Sequence, residues 1–81
     1  MTVKILLFAQ MKEQAGKDHL IYNLESPATL RQVWERVVDE FPRFEAMQSS
    51  ISFALNGEYC EWDSPVTEGD EIAMIPPVSG G

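Results

Sequence analysis

The chain has 81 residues, enough for one small domain and not for two. Hydrophobic residues make up 44% of it and no apolar run is long enough to cross a membrane, which excludes a disordered or a membrane-spanning chain. Thirteen acids against six bases leave a net charge of −7, which argues against nucleic acid or an anionic membrane surface as a partner.

Val3 to Ala9 reads as a strand, with Val3, Ile5 and Leu7 on one face and Lys4, Leu6 and Phe8 on the other. Gln10 to Lys17 reads as a loop that turns at Gly16. Residues 19–24 alternate again, Leu20, Tyr22 and Leu24 against His19, Ile21 and Asn23, and are expected to pair with the first strand. The helix signal follows. Thr29-Leu30-Arg31-Gln32 matches a capping box, and Leu30, Val33, Trp34, Val37, Val38 and Phe41 form an apolar stripe that Pro42 ends. A stripe that wide needs a flat partner, which is a sheet face.

Residues 43–51 give no usable pattern. Residues 52–55 read as a short strand, Asn56-Gly57 as a two-residue turn, and residues 58–62 as its return. Asp63-Ser64-Pro65 breaks that strand, Glu68-Gly69-Asp70 turns the chain, and Glu71 to Ile75 is the last strand. Pro76-Pro77 then blocks a helix and holds the chain extended into Val78-Ser79-Gly80-Gly81. The order is that of an α+β fold of β-grasp, or ubiquitin-like, type: a mixed sheet, first and last strands adjacent, one main helix across one face. Residues 1–75 form the domain and 76–81 a tail.

The side-chain inventory is thin for catalysis. Cys60 is the single cysteine, which rules out an internal disulfide and fits a reducing compartment. The apolar stretch Ile5 to Ala9 is too short for a secretory segment, so a cytoplasmic protein is expected. His19 has no second histidine with which to share a metal, and a pairing of His19 with Cys60 is supported by nothing in their spacing. Asp63, Glu68, Asp70 and Glu71 cluster at turns; a hard cation and plain turn chemistry explain them equally well. No metal site and no bound cofactor are expected. All six bases lie in residues 1–43, while residues 44–81 hold seven acids and no base. That half is either a solvated face or one that steers toward a basic partner.

The tail carries more information. Glycine is about 7% of ordinary sequence, so two in succession at the end arise by chance about 0.5% of the time. Here they follow a rigid Pro-Pro spacer leaving a strand, a thread able to enter a channel too narrow for any Cβ. Its end offers a carboxylate that is inert until another enzyme activates it with ATP. At the root of this thread, Ala73 and Ile75 fall beside Leu6 and Phe8 on the sheet face away from the helix. That apolar patch is a candidate docking site, with Tyr59 as an extension.

Leu7-Phe8-Ala9 with Lys12-Glu13 and Gly16, Asn56-Gly57, and above all Thr67-Glu68-Gly69 followed by the run from Asp70 to Gly81 resemble the small subunits of molybdopterin synthase, over essentially the whole chain. The resemblance implies a sulfur carrier and the small, sulfur-donating subunit of a sulfurtransferase. Gly81 would be adenylated by an enzyme related to ubiquitin activators, then converted by a sulfur donor to a thiocarboxylate. The tail Pro76, Pro77, Val78, Ser79 and Gly80 would carry it into the large subunit of a heterotetramer. There it would donate sulfur to a cyclic pyranopterin precursor, two sulfurs building each dithiolene. Phe8, Tyr59 and Ile75 would dock the partner. Two relatives by chemistry compete: a sulfur carrier of thiamine synthesis, and a protein modifier joined to lysines through Gly81. A plain interaction domain is the reading without terminal chemistry.

Overall fold

The computed structural model describes residues 1–77. Five strands make the main sheet in the order β2-β1-β7-β4-β5. They are β1 (Thr2–Leu7), β2 (His19–Asn23), β4 (Ser52–Leu55), β5 (Glu58–Tyr59) and β7 (Glu71–Ile75), while β3 (Ala28–Thr29) pairs separately with β6 (Pro65–Val66). The first and last strands lie side by side and parallel, with Ile5 opposite Ile72 and Leu7 opposite Met74. Strand β2 flanks β1 antiparallel, and β4 flanks β7 antiparallel. This is the mixed sheet of the β-grasp.

Alternation decides which face is dry. Val3, Ile5 and Leu7, Leu20 and Tyr22, Phe53, and Ile72 and Met74 are buried. Helix α2 (Leu30–Glu40) covers them with Leu30, Val33, Trp34 and Val37. Each of these four contributes roughly 1.5–3 kcal/mol by leaving water. Trp34 meets Phe53 edge-on at 5.7 Å and Trp62 at 6.1 Å, and its indole N–H donates to Gln48 Oε1 at 3.1 Å. The first N–H groups of α2, which no helical carbonyl can reach, are taken up locally. Gln32 Oε1 accepts from Thr29 N–H at 2.7 Å, as the capping box requires, while Leu30 and Arg31 donate to the carbonyls of Ser64 and Trp62.

Several boundaries differ from the sequence reading. The expected loop Gln10 to Lys17 is mostly a helix, α1 (Ala9–Ala15), and β1 ends at Leu7. The segment Ala-Gln-Met-Lys-Glu-Gln-Ala consists of good helix formers, and Met11 anchors it in the core. Gly16, read as a turn, closes this helix with a left-handed φ of 74°. The blank stretch after Pro42 begins with a 3-10 helix, Pro42–Met47, which buries Phe44 and Met47 three residues apart. The return strand spans only Glu58–Tyr59, not 58–62, because the chain then leaves the sheet to cap α2.

Candidate functional site

The sheet face away from α2 is built by the other half of each alternation. Across it runs a row set by strand register: His19 opposite Leu6, Leu6 opposite Ala73, Ala73 opposite Ala54, and Ala54 opposite Tyr59. Leu6, Ala73, Ala54 and Ile75 are half-buried, and among the described residues no element of secondary structure covers them. Two alanines at the centre leave that part of the face flat. Aromatic side chains stand at its margins, Phe8 45% exposed and Tyr59 80% exposed. The structure thus brings Phe8, Ile75 and Tyr59 to one face, as the alternation predicts. Ala54 was missed, because only strand pairing reveals its place between Ala73 and Tyr59.

Phe8 owes its position to an unusual corner. It directly follows β1 and precedes α1, and Ala9 adopts a left-handed φ of 50°. For an L-residue that conformation costs about 1–2 kcal/mol. Phe8, Leu6, Lys4, Ala9, Lys12 and His19 line a recess of about 400 Å³ at this corner.

The strand that leads to the tail is firmly held. Asn56, at φ 52°, and Gly57, at φ 89°, make the tight turn that their residue types predict. The Asn56 side chain donates to Asp70 Oδ1 at 3.0 Å and accepts from Glu71 N–H at 2.9 Å, while its own N–H donates to Glu71 O at 2.8 Å. Asp70 Oδ2 also accepts from Thr67 N–H at 2.7 Å. These bonds, that from Asn56 foremost, hold the Asp70 carboxyl below the usual carboxylate range. Beyond β7, Pro76, which the sequence reading puts in the tail, is buried in the domain, and the chain emerges at the exposed Pro77. Val78, Ser79, Gly80 and Gly81 lie outside the described residues.

The remaining candidates separate. His19 belongs to β2 and Cys60 follows β5, at opposite edges of the sheet, so the structure does not bring them together. His19 Nδ1 lies 2.8 Å from Asp18 Oδ1, and the bond from His19 draws the Asp18 carboxyl down. Burial, with the charge of Glu61 adding to it, pushes the Cys60 thiol up, opposite to what a nucleophilic thiolate needs. Glu68 accepts from Thr2 N–H at 2.9 Å, so Glu68 and Asp70 are engaged as turn and strand anchors. Among the described residues, no three His, Cys, Asp or Glu side chains converge as a metal site would need, and no helix is long and apolar enough to cross a membrane.

The chain has clear relatives. The model of the ThiS family matches residues 5–81. The chain belongs to that family. It is 38% identical to the molybdopterin synthase sulfur carrier subunit of Arabidopsis thaliana, over 98% of this chain and 82% of that one. With the subunit of the same name from Chlamydomonas reinhardtii it shares 32% identity over the full length of both. The crystal structure of SAMP1 from Haloferax volcanii, 28% identical, superposes with a TM-score of 0.90 over 100% of both chains. The family match reaches Gly81.

Proposed function

We propose that this protein is the sulfur carrier of molybdenum cofactor synthesis, the small subunit of a molybdopterin synthase acting in the cytoplasm. Two observations support the reading together: family membership through to Gly81, and a flat apolar face at the root of the segment that ends there. In this scheme the Gly81 carboxylate attacks the α-phosphorus of ATP in a ubiquitin-activator-like enzyme. Pyrophosphate leaves and an acyl-adenylate remains. The outer sulfur of a donor persulfide then displaces AMP to form an acyl disulfide, and a thiol cleaves its S–S bond, leaving the C-terminal thiocarboxylate and a donor disulfide.

The large subunit binds the open face through Phe8, Ile75 and Tyr59 and takes in Pro77, Val78, Ser79 and Gly80 as a narrow thread. The Gly81 sulfur bonds to the cyclic pyranopterin precursor, and water then cleaves the acyl–sulfur bond, leaving the sulfur on the precursor and a carboxylate at Gly81. This is covalent catalysis divided between two chains. The carrier supplies a reactive acyl group and a grip; proton transfer and substrate binding belong to the partner. No resident cofactor is required of this chain, since the adenylate and the thiocarboxylate are successive states of its own terminus.

Deleting Gly81 tests the assignment. The tail becomes about 3.3–3.6 Å shorter. A misplacement of ~1 Å at a reacting centre already costs ~100-fold, so sulfur transfer should fall at least that far. The readout is dithiolene formation with activating enzyme, ATP, sulfur donor and large subunit all supplied. An unchanged melting curve shows that the fold is intact; transfer at the full rate would overturn the assignment.

The likeness to SAMP1, a small archaeal modifier protein, favours a second reading, in which Gly81 is joined to lysines of other proteins. Isopeptide adducts that survive thiol reductants would support it over the carrier.

A further inference from the structure

The recess at the corner between β1 and α1 inverts the charge of the molecule. In a chain of thirteen acids and six bases, Lys4 and Lys12 line it against one acid, Asp18. Asp18 is engaged by its neighbour, with Oδ1 2.8 Å from His19 Nδ1. Neither lysine makes an ion pair among the described residues, although strand register sets Lys4 opposite Glu71. Arg31 and Arg36, by contrast, stand over the rings of Trp62 and Tyr22 at 4.9 and 5.2 Å. Those arginines serve the fold; Lys4 and Lys12 are exposed and have no such hold.

Their position gives the two lysines a consequence. Lys4 and Leu6 share the open face of β1, with Phe8 just beyond, and Lys12 follows Phe8 by one helical turn, its N–H donating to Phe8 O at 3.4 Å. Leu6 and Phe8 therefore belong both to the open face and to the recess. A partner that covers Phe8 also takes water from Lys4 and Lys12. Stripping an ammonium of water without a counter-charge is costly, and a hydrogen-bonded carboxylate offsets that cost.

We infer that the large subunit of the proposed synthase inserts an aspartate or glutamate side chain into this recess, between Lys4 and Lys12 and beside Phe8. The inference rests on the carrier reading and adds to it the chemistry of the partner's contact. About 400 Å³ leaves room for the carboxylate and for waters that bridge it to the two ammoniums. The charge contact also fixes register. Apolar surfaces meeting over two alanines can slide, whereas a carboxylate seated at one corner sets the orientation in which the tail leaves β7 toward the partner.

Carbodiimide coupling and charge reversal test this with the full-length carrier and the purified large subunit. Carbodiimide joins an amine to a carboxylate where the two are in contact. Mass spectrometry of the coupled, unsubstituted complex should therefore show Lys4 or Lys12 linked to an aspartate or glutamate of the large subunit. Lys12→Glu should weaken binding at least ~10-fold in isothermal titration, while Lys12→Arg should stay within about twofold. Arg43→Glu makes the same change in net charge at an exposed position outside the recess, and it too should stay within about twofold. Unchanged circular dichroism shows that each variant is folded. Equal losses for Lys12→Glu and Arg43→Glu, or a link from Lys12 to Gly81 of its own chain in place of the large subunit, overturns the inference while the carrier reading stands. If the unsubstituted carrier does not bind the large subunit, the carrier reading falls and the inference with it.

Discussion

Phe8→Ala separates docking from folding. Phe8 is 45% exposed and is absent from the buried core. A phenylalanine presents about 200 Å² of side-chain surface, so about 90 Å² of Phe8 remains for a partner to cover. At ~25 cal/mol per Å² that area is worth about 2.2 kcal/mol, or about 40-fold in affinity. This is an upper figure, because a rim position stays partly wet in the complex. The fold already covers the other ~110 Å² of Phe8, so fold stability should fall by at most about 2.7 kcal/mol, less than a small domain holds. Isothermal titration of the large subunit with unsubstituted and Phe8→Ala protein measures the first quantity, and urea denaturation of the free carrier the second. A loss of affinity between ~5-fold and ~40-fold in a protein that urea shows to be folded fits a docking role. An affinity within twofold of the unsubstituted protein would remove Phe8 from the docking face, and a drop that follows unfolding would make it a core residue instead.

Asp70→Ala removes the acceptor shared by Asn56 and Thr67 and should cost about 1 kcal/mol near neutral pH. The folded pKa of Asp70 lies below that of an ordinary aspartate, so its contribution is complete above the unfolded pKa and disappears as pH falls through the lowered folded pKa. Urea midpoints of the two proteins should therefore converge in acid; a constant gap from neutral pH into strong acid would contradict the role of the ionised carboxylate. Ala9→Gly should raise stability by about 0.5–1 kcal/mol, since relief of ~1–2 kcal/mol of left-handed strain exceeds the extra freedom that glycine gains on unfolding. Lower stability in urea would show that the Ala9 methyl makes contacts worth more than its strain.

What the sequence makes legible follows from the physics of each signal. The α2 stripe from Leu30 to Val37 and the alternation in β1, β2 and β7 repeat over enough residues to stand above noise, and they suffice to order the fold. The same alternation places Phe8 and Ile75 on the open face. Helix α1 escapes because it is seven residues long, buries only Met11 and begins at Phe8 without a side-chain cap. Its one marker, Gly16, serves a turn and a helix end equally. The 3-10 helix is marked only by Phe44 and Met47, one spacing of three after a proline, too short to read as a pattern. The β3–β6 ladder has two residues per strand, too few for any period. Ala54 owes its place to pairing register, which no single segment encodes.

The central claim concerns one atom pair at the end of the chain, and mass spectrometry reads it directly. Intact protein should be isolated from cells in which the activating enzyme and the sulfur donor are active but the large subunit has been deleted, so that loaded carrier accumulates. The account predicts a species heavier than the encoded chain by the difference between one sulfur and one oxygen, with fragmentation placing that difference on Gly81. Only unmodified carboxylate under those conditions, or the added mass located at Cys60, would contradict it.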